Sequence, residues 1–169
     1  MISFDLRRVS LRSGEQLRED VELELEPLLL GGQTYVPAPD PTPARLAITK
    51  TSGGTLFELR FAVTLAGPCF RCLADAELGL SLDAREYHAN DPGAGEDLRS
   101  DYVADDRLDL AAWARDTVVL ELPDKILCRD DCAGLCPVCG KDLNVEPHVH
   151  EEHESDPRWE QLGKLRFPS

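Results

Sequence analysis

Three close pairs hold all six cysteines of the chain: Cys69-Phe70-Arg71-Cys72, Cys128-Arg129-Asp130-Asp131-Cys132 and Cys136-Pro137-Val138-Cys139. Gaps of two or three residues let both thiolates of a pair face one ion while the backbone N–H groups between them bond to sulfur. Cys136 to Lys141 has the form of a zinc knuckle, with Pro137 shaping the turn and Gly140 supplying a left-handed exit. His148, His150 and His153 follow it closely. A structural Zn2+ takes four ligands, so six cysteines and two histidines fill two tetrahedral sites. Using every pair once places Cys69 and Cys72 with Cys128 and Cys132, and Cys136 and Cys139 with His148 and His150. His153 could replace either histidine. A competing arrangement groups Cys128, Cys132, Cys136 and Cys139 around one ion and leaves Cys69 and Cys72 free. His88 is isolated, which suits an exposed strand end better than a metal.

Catalysis has less support. Four protein ligands close a site and leave no position for water or substrate. The chain has no Walker loop, G-x-G-x-x-G, G-x-S-x-G or H-E-x-x-H. A thiol-disulfide oxidoreductase or a zinc-dependent enzyme using the Cys-x-x-Cys pairs is the alternative, but a redox pair opens a helix after a strand within βαβ, and the surroundings of Cys69 do not read that way. Acidic pairs such as Asp105-Asp106 and Asp130-Asp131 read as solvated loop charge. Trp113 and Trp159 read as packing residues, since no Lys or Arg cluster accompanies them in sequence.

The elements that position these ligands read mainly as antiparallel β. Large apolar residues alternate with mostly polar ones over Phe57–Leu65, Val21–Leu25 and Leu78–Leu82, the period-2 pattern of half-buried strands. Cys69 and Cys72 then fall on a hairpin tip. Ser52-Gly53-Gly54 is expected to turn through positive φ. The stretch Pro37 to Pro43 is expected to be a loop, as is a second segment near 88–106, expected to be mobile. Asp109 can cap a helix over 109–122 that Pro123 stops. Asp156-Pro157 opens a short C-terminal helix whose Trp159, Leu162 and Leu165 would dock on the body. The expected fold is α+β: a mainly antiparallel sheet or partly open barrel over 1–123, with a Cys/His-rich tail over 124–169.

Composition bounds the partners. The 169 residues carry 32 acidic against 18 basic side chains, a formal net charge of −14. Without a basic cluster, naked RNA is a poor primary ligand, while basic proteins are attracted. No apolar run reaches the roughly 18 residues of a membrane span, and the first residues lack a signal-peptide core. Cytoplasmic residence with reduced thiols is expected.

In combination, Gly67-Pro68-Cys69-Phe70-Arg71-Cys72-Leu73, Leu120-Glu121-Leu122-Pro123 and Cys132-Ala133-Gly134-Leu135-Cys136-Pro137-Val138-Cys139-Gly140-Lys141-Asp142-Leu143-Asn144 resemble the YceD family. Many members end with Cys-x-Cys where this chain has His148-Val149-His150, which keeps chelating chemistry. The resemblance implies a non-catalytic factor supporting 23S rRNA accumulation and large (50S) subunit assembly. Joined to the acidity, it points to a basic ribosomal protein or a pre-50S particle as partner.

Overall fold

The computed structural model describes residues 3–91 and 93–150. Its strands are β1 (Ser3–Asp5), β2 (Gln16–Leu23), β3 (Leu28–Leu30), β4 (Gln33–Ala38), β5 (Thr42–Lys50), β6 (Gly54–Pro68), β7 (Asp75–Ala89), β8 (Val103–Ala104) and β9 (Arg107–Asp109), followed by one helix, α1 (Leu110–Leu120). The chain divides into two compact units, Met1–Cys132 and Ala133–Ser169. Residues 124–132, read from composition as the start of the tail, group with the first unit. There the Phe70 N–H donates to the Ile126 carbonyl at 2.8 Å and Ile126 is buried.

In the first unit β6 is the spine. β7 pairs with its whole length on one side, while β5 and then β4 pair along the other, with β2 outside β5 and β3 outside β4. All pairings are antiparallel, and β1, β9 and β8 form a separate small sheet. The main sheet does not close, since β2 and β7 stand at opposite edges. Instead it packs on α1, which touches β7, β2 and β1.

The alternation along β6 explains the core. Phe57, Leu59, Phe61, Val63 and Leu65 are buried on one face, and α1 adds Leu110, Trp113, Ala114 and Val118. Asp109 caps α1 by accepting from the Ala112 N–H at 3.0 Å. The opposite face of the sheet is polar and open, with Arg18, Asp20, Arg45, Arg60, Asp83 and Arg85 exposed along it.

Three local expectations change. Gly53 and Gly54 do not take positive φ. Gly54 is needed because a side chain there would collide with the His88 carbonyl and the Tyr87 ring across the hairpin. The proline stretch is mostly strand: Pro37 pairs with Leu65 and Pro43 with Glu22. Both lie at strand ends with one flank unpaired, where a residue lacking N–H is tolerated. The turn is only Pro39–Pro41, closed by Thr42 Oγ1 donating to the Pro39 carbonyl at 2.7 Å. Likewise His88 lies near the end of the pairing of β7, opposite Thr55, rather than opening a loop, and its Nδ1 accepts from the Ser100 N–H at 3.2 Å. Among the described residues no helix is long and apolar enough to cross a membrane. The expected helix at Asp156 and the Trp159, Leu162, Leu165 stripe lie outside the described residues, as does His153.

Candidate metal centres

The β6–β7 hairpin carries Cys69 and Cys72 at its tip, as the alternation required. The segment after α1 brings Cys128 and Cys132 to the same place, and all four sulfurs lie within 4.8 Å of one another. Cys69 Sγ is 3.8 Å from Cys132 Sγ, and Cys72 Sγ is 3.6 Å from Cys128 Sγ. A tetrahedron of sulfurs around Zn2+ has edges of about 3.8 Å, given bonds near 2.3 Å. The four thiols therefore fit such an ion. Cys69, Cys72 and Cys132 are buried and Cys128 is exposed.

In the second unit Cys136, Cys139, His148 and His150 also gather within 4.8 Å, with Cys139 Sγ at 3.1 Å from His148 Nε2. For one zinc bound by sulfur and imidazole the separation would be about 3.6 Å, so a half-ångström adjustment suffices. His148 is oriented through Nδ1, which meets the Glu146 carbonyl at 2.7 Å. Fixing the second ring nitrogen in this way aims Nε2 at the cluster. Among the described residues these are the two clusters. The grouping of Cys128, Cys132, Cys136 and Cys139 is not one of them, and His88 belongs to neither.

The two Cys-x-x-Cys segments share one hydrogen-bonded turn. Leu73 N–H donates to the Cys69 carbonyl at 3.0 Å as Gly140 N–H does to Cys136 at 2.8 Å. Cys69 N–H then donates to Ala74 and Cys136 N–H to Lys141. The turn exits through a left-handed residue, which is Gly140 at φ 74 in one case and Leu73 at φ 63 in the other. A leucine there costs about 1–2 kcal/mol, and Leu73 is exposed, so little packing offsets it. Leu73→Gly is expected to raise stability by about 1 kcal/mol, less whatever the more flexible unfolded chain takes back. Urea melts of the two proteins check this, and a lower midpoint in the variant would show that the exposed leucine is held by contacts after all.

Electrostatics prepare both clusters for a cation. Burial opposes ionisation of Cys69, yet surrounding backbone N–H groups, that of Arg71 among them, outweigh it and bring the thiol down to about 6. Cys128, hydrogen-bonded to the Cys72 sulfur and desolvated besides, is pushed up to about 12. Cys136 is held down to about 6, chiefly by the Cys139 N–H. Each cluster thus holds a ready thiolate beside thiols that a metal would deprotonate. Two supporting residues were not singled out from the sequence. Arg71 Nη1 donates to the Cys132 carbonyl at 2.6 Å, tying the hairpin tip to the second cysteine pair. Asn144 Oδ1 accepts from the Ala133 N–H at 2.7 Å and braces the second unit. Arg71 lies between two ligands, and Asn144 sits in an Asp-x-Asn step; both are weak signals by themselves.

The sequence profile of the large ribosomal RNA subunit accumulation protein YceD matches residues 57–166, about two thirds of the chain. The chain belongs to the YceD family. Its relatives include an uncharacterized protein of Mycobacterium tuberculosis, 35% identical over 128 residues that cover 73% of this chain and 61% of the relative. An uncharacterized protein of Mycobacterium leprae is 38% identical over 106 residues, 59% of this chain and 48% of its own. YlbN of Bacillus subtilis, also uncharacterized, is 28% identical over 116 residues, 64% of this chain and 66% of its own. The chain thus spans about three fifths of the length of the M. tuberculosis relative. No solved structure matches. The YceD match includes both clusters that could hold a metal, whose residues fall between Cys69 and His150.

Proposed function

We propose that the chain is a non-catalytic ribosome-biogenesis factor that supports 23S rRNA accumulation and large (50S) subunit assembly in the cytoplasm. It does so by binding a basic ribosomal protein or a precursor particle, with two structural Zn2+ ions holding its shape. Membership of the YceD family supports the ribosome-related part. The observation that carries the non-catalytic part is closure, since each cluster offers four ligands from one chain. Thiolate and imidazole donors in fours suit zinc above harder cations. The net charge of −14 supports a basic partner.

A thiol-disulfide oxidoreductase would draw on Cys69, whose thiol is held near 6. Cys69 is wholly buried, so an external disulfide has no approach to it. A zinc-dependent enzyme would need a ligand position left open. Pull-down with the zinc-loaded full chain at moderate salt is expected to recover large-subunit ribosomal proteins. Recovery of free rRNA fragments without any ribosomal protein would overturn the proposed partner.

A further inference from the structure

The main sheet ends on one side at β7, and that edge lacks the prolines, bulges and short length by which strands are usually kept from pairing again. Its ladder with β6 runs unbroken from Gly54 opposite Ala89 to Pro68 opposite Asp75, and Asp75–Ala89 contains no proline and no lysine. Beyond one end of the ladder the Cys69 N–H donates to the Ala74 carbonyl, and beyond the other the Asn90 N–H donates to the Gly53 carbonyl. Counted from either bond, the even-numbered residues of β7 exchange hydrogen bonds with β6, and the odd-numbered ones turn N–H and C=O outward. Among the described residues nothing pairs with that outward row from Glu77 to Tyr87.

The side chains along the edge say what it fits. On the core side Leu78 and Leu80 are only half-buried, whereas Leu82 is buried. On the open side Glu77 has no ion-pair partner among the described residues, and Arg85 meets Glu58 through Nε at 3.3 Å. Gly79 is not required by its own chain, since it does not take positive φ and a side chain there would meet nothing within 4 Å. A glycine inside a strand weakens it and marks a place where another backbone can come close.

We propose that β7 pairs with β7 of a second copy of this chain, antiparallel about a two-fold axis through Ser81. Charge and apolar cover together single out that register. It sets Glu77 opposite Arg85 of the second copy and Arg85 opposite its Glu77, so the pair forms twice. Gly79 then faces Asp83, leaving room for that carboxylate and for Arg60, which holds it at 2.9 Å. On the core side Leu80 lies against Leu82 and Leu78 against Ala84, which covers both half-buried leucines. An axis at Leu80 would oppose Glu77 to Asp83, one at Leu82 would match no charges, and one at Asp83 would oppose that residue to itself. An axis at Ala84 matches Asp83 with Arg85 but lays Leu82 against Glu86 and Leu80 against His88. In the Ser81 register the outward residues from Glu77 to Arg85 exchange about ten backbone hydrogen bonds and join two six-stranded sheets into one. This inference goes beyond the ribosome-related reading and does not depend on it.

The test is sedimentation equilibrium of the full zinc-loaded chain at about 100 μM, where a dimer of two 18.7 kDa chains is expected. Glu77→Arg puts like charges opposite one another at both ends of the pairing and should weaken the dimer at least about tenfold, and Arg85→Glu should do the same. Mixing the two variants makes both pairs complementary again, so the equimolar mixture should dimerise within about threefold of the native chain. Ser81→Pro removes an outward N–H that β6 does not use, and should leave a monomer with unchanged far-UV circular dichroism. Should Ser81→Pro not fold, the charge variants decide. A native chain that stays monomeric at this concentration would overturn the proposal and leave the edge to an extended segment of another protein. So would a dimer that both charge variants form as tightly as the native chain, or a mixture of the two that stays monomeric.

Discussion

Cys136→Ser is expected to release one of two zinc ions and to unfold residues 133–150, leaving the melting of the β-sheet unit unchanged. The reason lies in what the second unit lacks. Among its described residues only Gly134 and Cys136 are buried, while Val138, Val145 and Val149 are exposed. No apolar core offsets the conformational entropy of ordering these residues, at roughly 1–2 kcal/mol each for the backbone. Its backbone bonds, such as Leu143 N–H to the Gly134 carbonyl at 2.9 Å, form in exchange for bonds to water. The metal must supply the difference, and apparent binding energies of about 10–16 kcal/mol for structural zinc in small peptides are of the right size. Elemental analysis gives the ion count, and amide NMR gives the order of residues 133–150. Dispersed amide signals in the variant after loss of the ion would show that the unit folds without it.

Cys69→Ser is expected to remove the other ion with a different outcome. The first unit has its own core, so it should stay folded but melt lower. Cys69 and Cys132 are 63 residues apart and Cys72 and Cys128 are 56 apart, so a metal there cross-links a long loop. Treated as a covalent cross-link over about 60 residues, it constrains the unfolded chain by about 4 kcal/mol. For a unit of this size that is a loss of roughly 15 °C in melting temperature. The expected metal content falls from about two ions per chain to one, the survivor belonging to Cys136, Cys139, His148 and His150. A native chain with one ion, retained in Cys69→Ser, would instead match the grouping of Cys128, Cys132, Cys136 and Cys139. Purification without a His-tag column keeps the count clean.

The two Cys/His clusters that could hold a metal were legible because Cys-x-x-Cys is a local signal: the turn that aims both sulfurs is written within six residues. The strands at Phe57–Leu65 and Leu78–Leu82 were legible because one face is buried and the other wet, which forces period 2. Their ends were not, since β6 and β7 run on to Pro68 and Ala89 through residues whose pairing depends on the partner strand. The proline stretch was misleading for the same reason: whether a missing N–H costs anything depends on which flank is paired. Leu73 could not be foreseen as the counterpart of Gly140, because only the shared turn shows that a leucine occupies a left-handed position. The charge pattern on the open face of the sheet was the least visible. Arg18, Arg45, Arg60 and Arg85 are scattered among acids in the sequence, and only the register of four strands sets them side by side.

The β6–β7 hairpin also bears on the order in which the chain folds. Its two 15-residue strands are joined by only Cys69 to Ala74, so the first pair to close, Pro68 with Asp75, is among the least distant in sequence. Pairing can then spread outward one rung at a time to Gly54 and Ala89, each step closing almost no additional loop. Hairpins of this kind form in about 1–10 μs, long before contacts that span half the chain. The cysteine tip is thus set early, whereas Cys128 and Cys132 must return across more than 50 residues to reach it. Capture of the ion by all four sulfurs then comes late and acts as a latch on a sheet already assembled, slowing its unfolding more than it speeds its formation.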